Sequence, residues 1–145
     1  MDYLKQFVEN LSELMEEKEL TYRKLSQAVG INKSTISCWK NFANTVSLKH
    51  LIALADYFQC SIDFLLGRSG TYLPFTICPP VPLSRRIREI MKEKGYTRYR
   101  FVKETRFEEG HIYKWDKGSV PQLPTLVELA DLFGCSMDYL IGRER

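Results

Sequence analysis

Long apolar runs are missing from this chain of 145 residues. No segment approaches the ~20 consecutive apolar residues that a membrane-spanning helix needs. The first residues, MDYLKQFVENLSEL, are amphipathic and acidic, so they lack the basic start and apolar centre of a secretion signal. We therefore expect a cytoplasmic protein with no membrane partner.

Sequence motifs for catalysis and metal binding are also missing. The four cysteines are widely spaced and form no C-x-x-C pair, so we expect reduced, mostly buried thiols at Cys38, Cys60, Cys78 and Cys135. No glycine-rich phosphate loop occurs, and no nucleophile motif frames a serine, histidine or aspartate. We expect no enzyme activity, no metal, no cofactor and no small-molecule substrate.

Strand-like alternation of apolar and polar residues is absent, and apolar residues recur instead at helical spacing. The first segment shows this spacing at Leu4, Phe7, Leu11 and Leu14. A hydrophobic content of 44 % is enough for a globular core. The predicted fold class is all-α.

An internal repeat sets the domain organisation. The segment SLKHLIALADYFQCSIDFLLGR at 47–68 matches QLPTLVELADLFGCSMDYLIGR at 122–143, and further upstream Trp39 matches Trp115. One residue is missing from the loop after the second tryptophan, a change that loops tolerate. The repeat predicts two units of about five helices, a first unit at 1–68 and a second unit at 83–145.

The segment that joins the two units, SGTYLPFTICPPVP at 69–82, contains four prolines that exclude a regular helix. A free tether would be more polar than this segment. We expect it to dock on one or both units, or on a partner, through its large apolar side chains: Tyr72, Leu73, Phe75, Ile77 and Val81.

The segment TYRKLSQAVGINKSTISCWK at 21–40 is typical of two short helices joined by a turn. Gly30 is suited to stop the first helix and Asn32 to cap the second. We expect three apolar residues to face inward: Ile31, Ile36 and Trp39. Compact polar groups then remain on the outward face, which suits entry into the major groove of DNA: Lys33, Ser34, Ser37 and Cys38.

Acidic residues are missing from Leu20 to Ala55, although this stretch has five basic ones: Arg23, Lys24, Lys33, Lys40 and Lys49. The acids of the first unit are instead concentrated in its first helix. Positive charge gathered around a helix of this kind is what binding to phosphates requires.

These segments resemble the Cro and lambda-repressor family of helix-turn-helix domains over nearly the whole first unit. The resemblance rests on TYRKLSQAVGINKSTISCWK followed by SLKHLIALADYFQCSIDFLLGR. It implies two lambda-repressor-like five-helix domains in tandem. It also implies a sequence-specific regulator of transcription, expected to be a repressor, whose partner is double-stranded DNA.

The resemblance also implies residue roles in the first unit. Tyr22 would meet a phosphate, and Ser26 would let the two helices pack closely. The base-facing positions match Lys33, Ser34 and Cys38, and the positions along the DNA backbone match Ser37, Lys40, Asn41 and Asn44. The predicted DNA-binding residues of this unit are Tyr22, Arg23, Asn32, Lys33, Ser34, Thr35, Ser37, Cys38, Lys40, Asn41 and Asn44.

The second unit departs from this pattern in the segment FEEGHIYKWD at 107–116. Glu108 and Glu109 stand where the first unit has Asn32 and Lys33. Carboxylates accept hydrogen bonds from cytosine, but phosphates repel them. The turn glycine and the small packing residue are also replaced, by Arg106 and Val102.

Two interpretations of the second unit stay open. In the first, it keeps the fold without reading bases, and it supports a homodimer or holds a partner through Tyr99, Phe101 and Tyr113. In the second, it adds DNA contacts through Arg98, Arg100, His111, Lys114 and Lys117. An alternative for the whole chain is a protein-binding adaptor of the antitoxin or anti-repressor type that does not read DNA.

Other notable residues have simpler interpretations. Trp39 and Trp115 are expected in the two cores, and Cys60 and Cys135 are expected as small buried residues. A basic cluster follows the linker at Arg85, Arg86 and Arg88. This cluster is either solvated or a contact for a DNA backbone or an acidic partner.

Overall fold

The computed structural model describes residues 3–42, 45–68 and 77–144. All regular secondary structure in these ranges is helical, as the all-α prediction requires. The chain divides into two compact units, Met1–Pro74 and Phe75–Arg145.

The first unit contains five helices, the number that the repeat predicts. They are α1 (Tyr3–Glu17), α2 (Tyr22–Val29), α3 (Lys33–Lys40), α4 (Leu48–Phe58) and α5 (Ile62–Leu65). Three of these helices are capped at the N-terminus by a serine or threonine. The side chains of Thr21, Ser47 and Ser61 accept hydrogen bonds from backbone N–H groups of the first turn.

Trp39 lies in the core of the first unit, as expected, with 1 % of its surface exposed. Its ring meets Phe7 edge-on, with 5.4 Å between centroids, so α3 is fixed against α1. Leu25, Leu51 and Leu54 of the same core are fully buried. The opposite face of α3 therefore does not contribute to the core.

The second unit repeats the same order of helices. They are α6 (Leu83–Glu93), α7 (Arg98–Glu104), α8 (Glu109–Asp116), α9 (Leu123–Phe133) and α10 (Met137–Ile141). Trp115 is buried here as Trp39 is in the first unit. Phe101 and Phe107 replace Leu25 and Ile31, and their rings stack at 5.7 Å.

Phe101 was expected among the partner-binding aromatics, and that prediction is wrong. Its side chain is fully buried, where it stacks on Phe107 and on Phe133. Only Tyr99 and Tyr113 of that set are exposed. The aromatic surface of the second unit is therefore smaller than the sequence suggested.

The last helix of each unit is held to the first by the same kind of bond. In the first unit the Asn10 amide donates to the Phe64 carbonyl at 2.9 Å. In the second, the Arg86 guanidinium donates to the Tyr139 carbonyl at 2.7 Å. Arg86 is buried and also stacks over the Tyr139 ring. In the second unit this larger side chain therefore makes the contact between the first and last helices that Asn10 makes in the first unit.

The three arginines of the basic cluster at 85–88 all have partners within the second unit. Arg86 is buried, and Arg85 pairs with Glu89 at 2.9 Å. Arg88 lies 3.7 Å from the Asp116 carboxylate. The hydrogen bonds from Arg86 and Arg85 hold the pKa of Glu89 below its usual value.

Each unit also contains one aspartate–arginine pair near its C-terminal end. Asp63 pairs with Arg68 in the first unit, and Asp138 pairs with Arg143 in the second. The Arg143 guanidinium and the Asp138 carboxylate are both buried. A buried pair of this kind tolerates the loss of neither member.

Part of the linker docks as expected. The N–H of Cys78 donates to the Arg143 carbonyl at 2.8 Å, and Val81 lies close to Gly142. Cys78 and Val81 therefore contact the second unit, whereas the Ile77 side chain is exposed. The expectations for Tyr72, Leu73 and Phe75 fall outside the described residues.

Two smaller sequence expectations are wrong. Asn32 precedes α3, but its side chain makes no capping bond. The thiols are less buried than expected, because only Cys60 is buried, whereas three are half-buried: Cys38, Cys78 and Cys135.

Candidate nucleic-acid interface

The turn between α2 and α3 has the tight geometry that its sequence predicts. Gly30 adopts a left-handed conformation with a φ of 71°, and its N–H bonds to the Ser26 carbonyl. The Ser26 hydroxyl donates to the Ile31 carbonyl at 2.5 Å. A small residue at position 26 thus ties α2 to the start of α3.

Helix α3 divides its side chains as the sequence predicts. Ile36 and Trp39 are buried, whereas Lys33 and Ser34 are exposed. Three further side chains are half-buried along the helix: Thr35, Ser37 and Cys38. The outward face therefore offers short donors and acceptors on a rigid support, as base readout in the major groove requires.

The cations of α2, α3 and α4 lack acidic partners among the described residues. Arg23, Lys24, Lys33 and Lys49 are exposed, and none of them forms an ion pair with any residue that the structure describes. Lys40 is exposed as well. Their charges are therefore available to phosphates.

Tyr22 and Lys40 come together from different helices. The Lys40 ammonium lies 5.1 Å from the centroid of the Tyr22 ring. Both line a groove of about 370 Å³ between the end of α1 and the start of α2. Tyr22 is the first residue of α2, where free N–H groups and the helix dipole favour an anion.

The remaining predicted site residues of the first unit are placed as follows. Asn32 and Asn41 flank α3 and are exposed. Asn44 lies outside the described residues. Phe42, which sequence reasoning did not select, is exposed with a φ of 58°, where the repeat has Gly118.

The second unit makes its turn by a different route. Helix α7 ends at Glu104, and the Thr105 hydroxyl accepts from the N–H of Phe107 at 3.1 Å. Arg106, in place of the turn glycine, stacks over Phe107 and donates twice to Glu128 at 2.6 and 2.5 Å. These bonds hold the pKa of Glu128 below its usual value.

The two predicted DNA-binding arginines of the second unit have acidic partners within it. Arg98 donates to Asp116 at 2.8 Å, and Arg100 donates to Glu104 at 2.8 Å. Lys114 and Lys117 are exposed. Lys117 lies over the Tyr113 ring at 5.4 Å. The positive charge of this face is thus smaller than its arginine count suggests.

His111 is engaged at the start of α8. Its Nδ1 accepts from the N–H of Glu108 at 3.0 Å, and its ring packs edge-on against Phe107. Sequence reasoning missed this role, although the third position of a helix is a known site for a side chain that reaches back to the cap. While this bond is kept, a base contact by His111 has to use its other ring nitrogen, Nε2.

Two tyrosines project from the second unit at positions that the first unit gives to polar residues. Tyr99 replaces Arg23 and is 73 % exposed, and Tyr113 replaces Ser37 and is 62 % exposed. Glu108 and Glu109 are also exposed. The equivalent face is therefore aromatic and of mixed charge in this unit.

His50 links the first unit's stability to pH. Burial, together with the nearby Lys49 charge, lowers the pKa of its imidazole below 6.5, and its ring packs edge-on against Trp39. The folded state then holds the proton more weakly than the unfolded state, so the stabilising effect of neutral His50 is complete above 6.5 and declines as the pH falls below it. The melting temperature should fall between pH 7.5 and pH 5.5, and less so in His50→Gln.

A change of pH acts on the whole protein, so the comparison must be between wild type and His50→Gln in matched buffers. Equal losses of melting temperature in the two proteins would contradict the prediction. Circular dichroism at both pH values provides the measurement.

The described ranges 3–42, 45–68 and 77–144 contain no cluster of histidine, cysteine, aspartate and glutamate that could hold a metal ion. They also contain no helix with the length and apolar character needed to cross a bilayer.

Comparison with known proteins agrees with this geometry. The family model described as the Cro/C1-type HTH DNA-binding domain matches twice, at residues 10–69 and at residues 86–144. No curated protein and no solved structure matches the chain. The two matches cover the helix-turn-helix of each unit and most of the chain. The protein belongs to the family of Cro/C1-type helix-turn-helix DNA-binding domains, with two copies in tandem.

Proposed function

We propose that this protein is a sequence-specific regulator of transcription, acting as a repressor, whose first unit reads the major groove of double-stranded DNA. The observation that carries the proposal is the set of exposed cations around α3. Arg23, Lys24, Lys33 and Lys49 form no ion pair with any described residue. The segment from Leu20 to Ala55 also contains no acid.

Base recognition falls to the outward face of α3. A lysine can donate to O6 and N7 of guanine, and a serine hydroxyl can donate or accept. Lys33 and Ser34 are exposed at the start of this helix, with Cys38 one turn further on. We assign base readout to these three residues.

Backbone contacts would position the helix. The start of α2 offers Tyr22 with the Lys40 ammonium beside its ring, and the end of α3 offers Asn41. Ser37 is half-buried on the same helix. Contacts of this kind supply affinity and register but no sequence preference.

The second unit would serve dimerisation instead of base reading. Arg98, Arg100 and Arg106 are bonded to acids of their own unit. Exposed carboxylates occupy the tip of its equivalent helix. A single small domain buries little surface on DNA, so tight binding generally needs two of them, and a dimer would bring two copies of α3 to one site.

A second candidate function is the protein-binding adaptor, in which neither unit reads DNA. The observation that favours it is the exposure of Tyr99 and Tyr113, because tyrosines are enriched at protein interfaces. The adaptor hypothesis does not explain the exposed cations of the first unit. The regulator is therefore the better proposal.

Binding to random duplex DNA at several salt concentrations separates the two. We expect binding at low salt with a steep salt dependence, at about 0.9 units of logarithmic slope per phosphate contact. Selection from a random DNA pool should then return a defined site. The absence of binding at low salt would refute the regulator and favour the adaptor.

A further inference from the structure

One face of α8 carries a regular stripe of three residues. Glu109, Tyr113 and Lys117 are spaced four residues apart, which places them on the same side of the helix. All three are exposed. The Lys117 ammonium lies 5.4 Å from the Tyr113 ring centroid, so these two side chains share one face.

The stripe is negative at one end, aromatic at the centre and positive at the other end. Glu109 is the first residue of α8, and Lys117 directly follows its last residue. Neither charge forms an ion pair within the part of the chain that the structure describes. Nothing in the described parts of the second unit neutralises these charges.

This pattern is complementary to itself when reversed. If two copies of α8 pack antiparallel about a two-fold axis, Glu109 of each copy meets Lys117 of the other, and the two Tyr113 rings meet at the centre. Antiparallel packing also brings the positive end of each helix dipole to the negative end of the other. Both ion pairs form at once.

We propose that the Glu109–Tyr113–Lys117 stripe is the surface through which two copies of this chain associate. The proposal rests on the proposed function in one respect only, that the second unit dimerises and does not read bases. DNA does not fit the stripe, because Glu109 would face phosphates. A basic partner protein would leave Lys117 without a counter-charge, whereas a second copy satisfies both ends.

Charge exchange on the full-length chain tests the proposal. Sedimentation equilibrium at low salt should show a dimer for the wild type. Glu109→Lys and Lys117→Glu should each weaken the dimer by about tenfold or more, because each variant places two like-charged pairs in the interface. The double variant should restore it, since its stripe is complementary again with the signs exchanged.

Matched variants separate the stripe from general charge effects. Lys114→Glu changes the same charge on the same helix away from the stripe, so it should leave the dimer constant nearly unchanged. Glu109→Gln removes one charge without placing a cation at the helix start, and it should weaken the dimer less than Glu109→Lys. Circular dichroism checks that every variant is folded.

Several outcomes would overturn the proposal. These are a monomeric wild type at ~100 µM, equal weakening by Lys114→Glu and Lys117→Glu, or a double variant that stays as weak as the single ones. Binding to a DNA fragment with a single half-site is measured in parallel. If that binding persists while the dimer result fails, the stripe is refuted and the DNA-reading role of the first unit stands.

Discussion

Replacing Lys33 with alanine is expected to weaken binding to the selected DNA site by about 10- to 100-fold. Lys33 is the first residue of α3, is exposed, and has no anionic partner among the residues that the structure describes. Sequence preference should relax at one base pair, because a base contact and not only a phosphate contact is lost. Titration of labelled duplexes, with each base pair of the site varied in turn, measures both effects.

Glu109→Ala is the matched control, since Glu109 occupies the position of Lys33 in the repeat. On a duplex with a single half-site, where dimerisation does not contribute, removing this exposed carboxylate should not weaken DNA binding, because it can only reduce repulsion by phosphates. A loss of affinity for that half-site in Glu109→Ala as large as that in Lys33→Ala would show that the second unit reads the DNA. If Lys33→Ala instead weakens binding equally for all sequences, Lys33 contacts a phosphate and not a base.

Local signals in the sequence mark several of the helix ends. Thr21, Ser47 and Ser61 each stand directly before a helix and cap it. Gly30 ends α2 in the left-handed conformation that glycine adopts at no cost. The same residues that define these boundaries are close in sequence to the groups they bond, which is why the pattern alone sufficed.

Contacts between distant residues were not predictable in the same way. The Arg86 guanidinium bonds to a carbonyl 53 positions further along the chain, so the sequence shows only a basic residue in a basic cluster. Arg98 reaches Asp116 across a separation of 18 residues. The Arg100–Glu104 pair, in contrast, has a spacing of four residues that was readable in advance.

The electrostatic difference between the units therefore has two origins. One is composition, because Glu108 and Glu109 replace Asn32 and Lys33. The other is pairing, because the arginines of the second unit bond to acids that the first unit does not have around its helix-turn-helix. Sequence reasoning detected the first origin, and only the three-dimensional contacts reveal the second.

Replacing Asp138 with alanine is expected to unfold the second unit at physiological temperature. The carboxylate is fully buried and pairs with Arg143, which is 4 % exposed. Removing one member of a buried pair costs about 3–5 kcal/mol, since the remaining charge stays in a medium of low polarity. A unit of this size has a total stability of roughly the same amount.

Chemical denaturation followed by tryptophan fluorescence measures the effect, with Trp39→Phe so that Trp115 reports on the second unit alone. Asp63→Ala is the matched control in the first unit, followed there through Trp39 in a Trp115→Phe background. The Arg68 side chain is 14 % exposed, against 5 % for that of Arg143. Because water can solvate the unpaired guanidinium of Arg68 better, Asp63→Ala should lower the free energy of unfolding less than Asp138→Ala does. Equal losses at the two sites would contradict the burial argument.

If Asp138→Ala unfolds only the second unit, then the chain should lose dimerisation but still bind a single DNA half-site through the first unit.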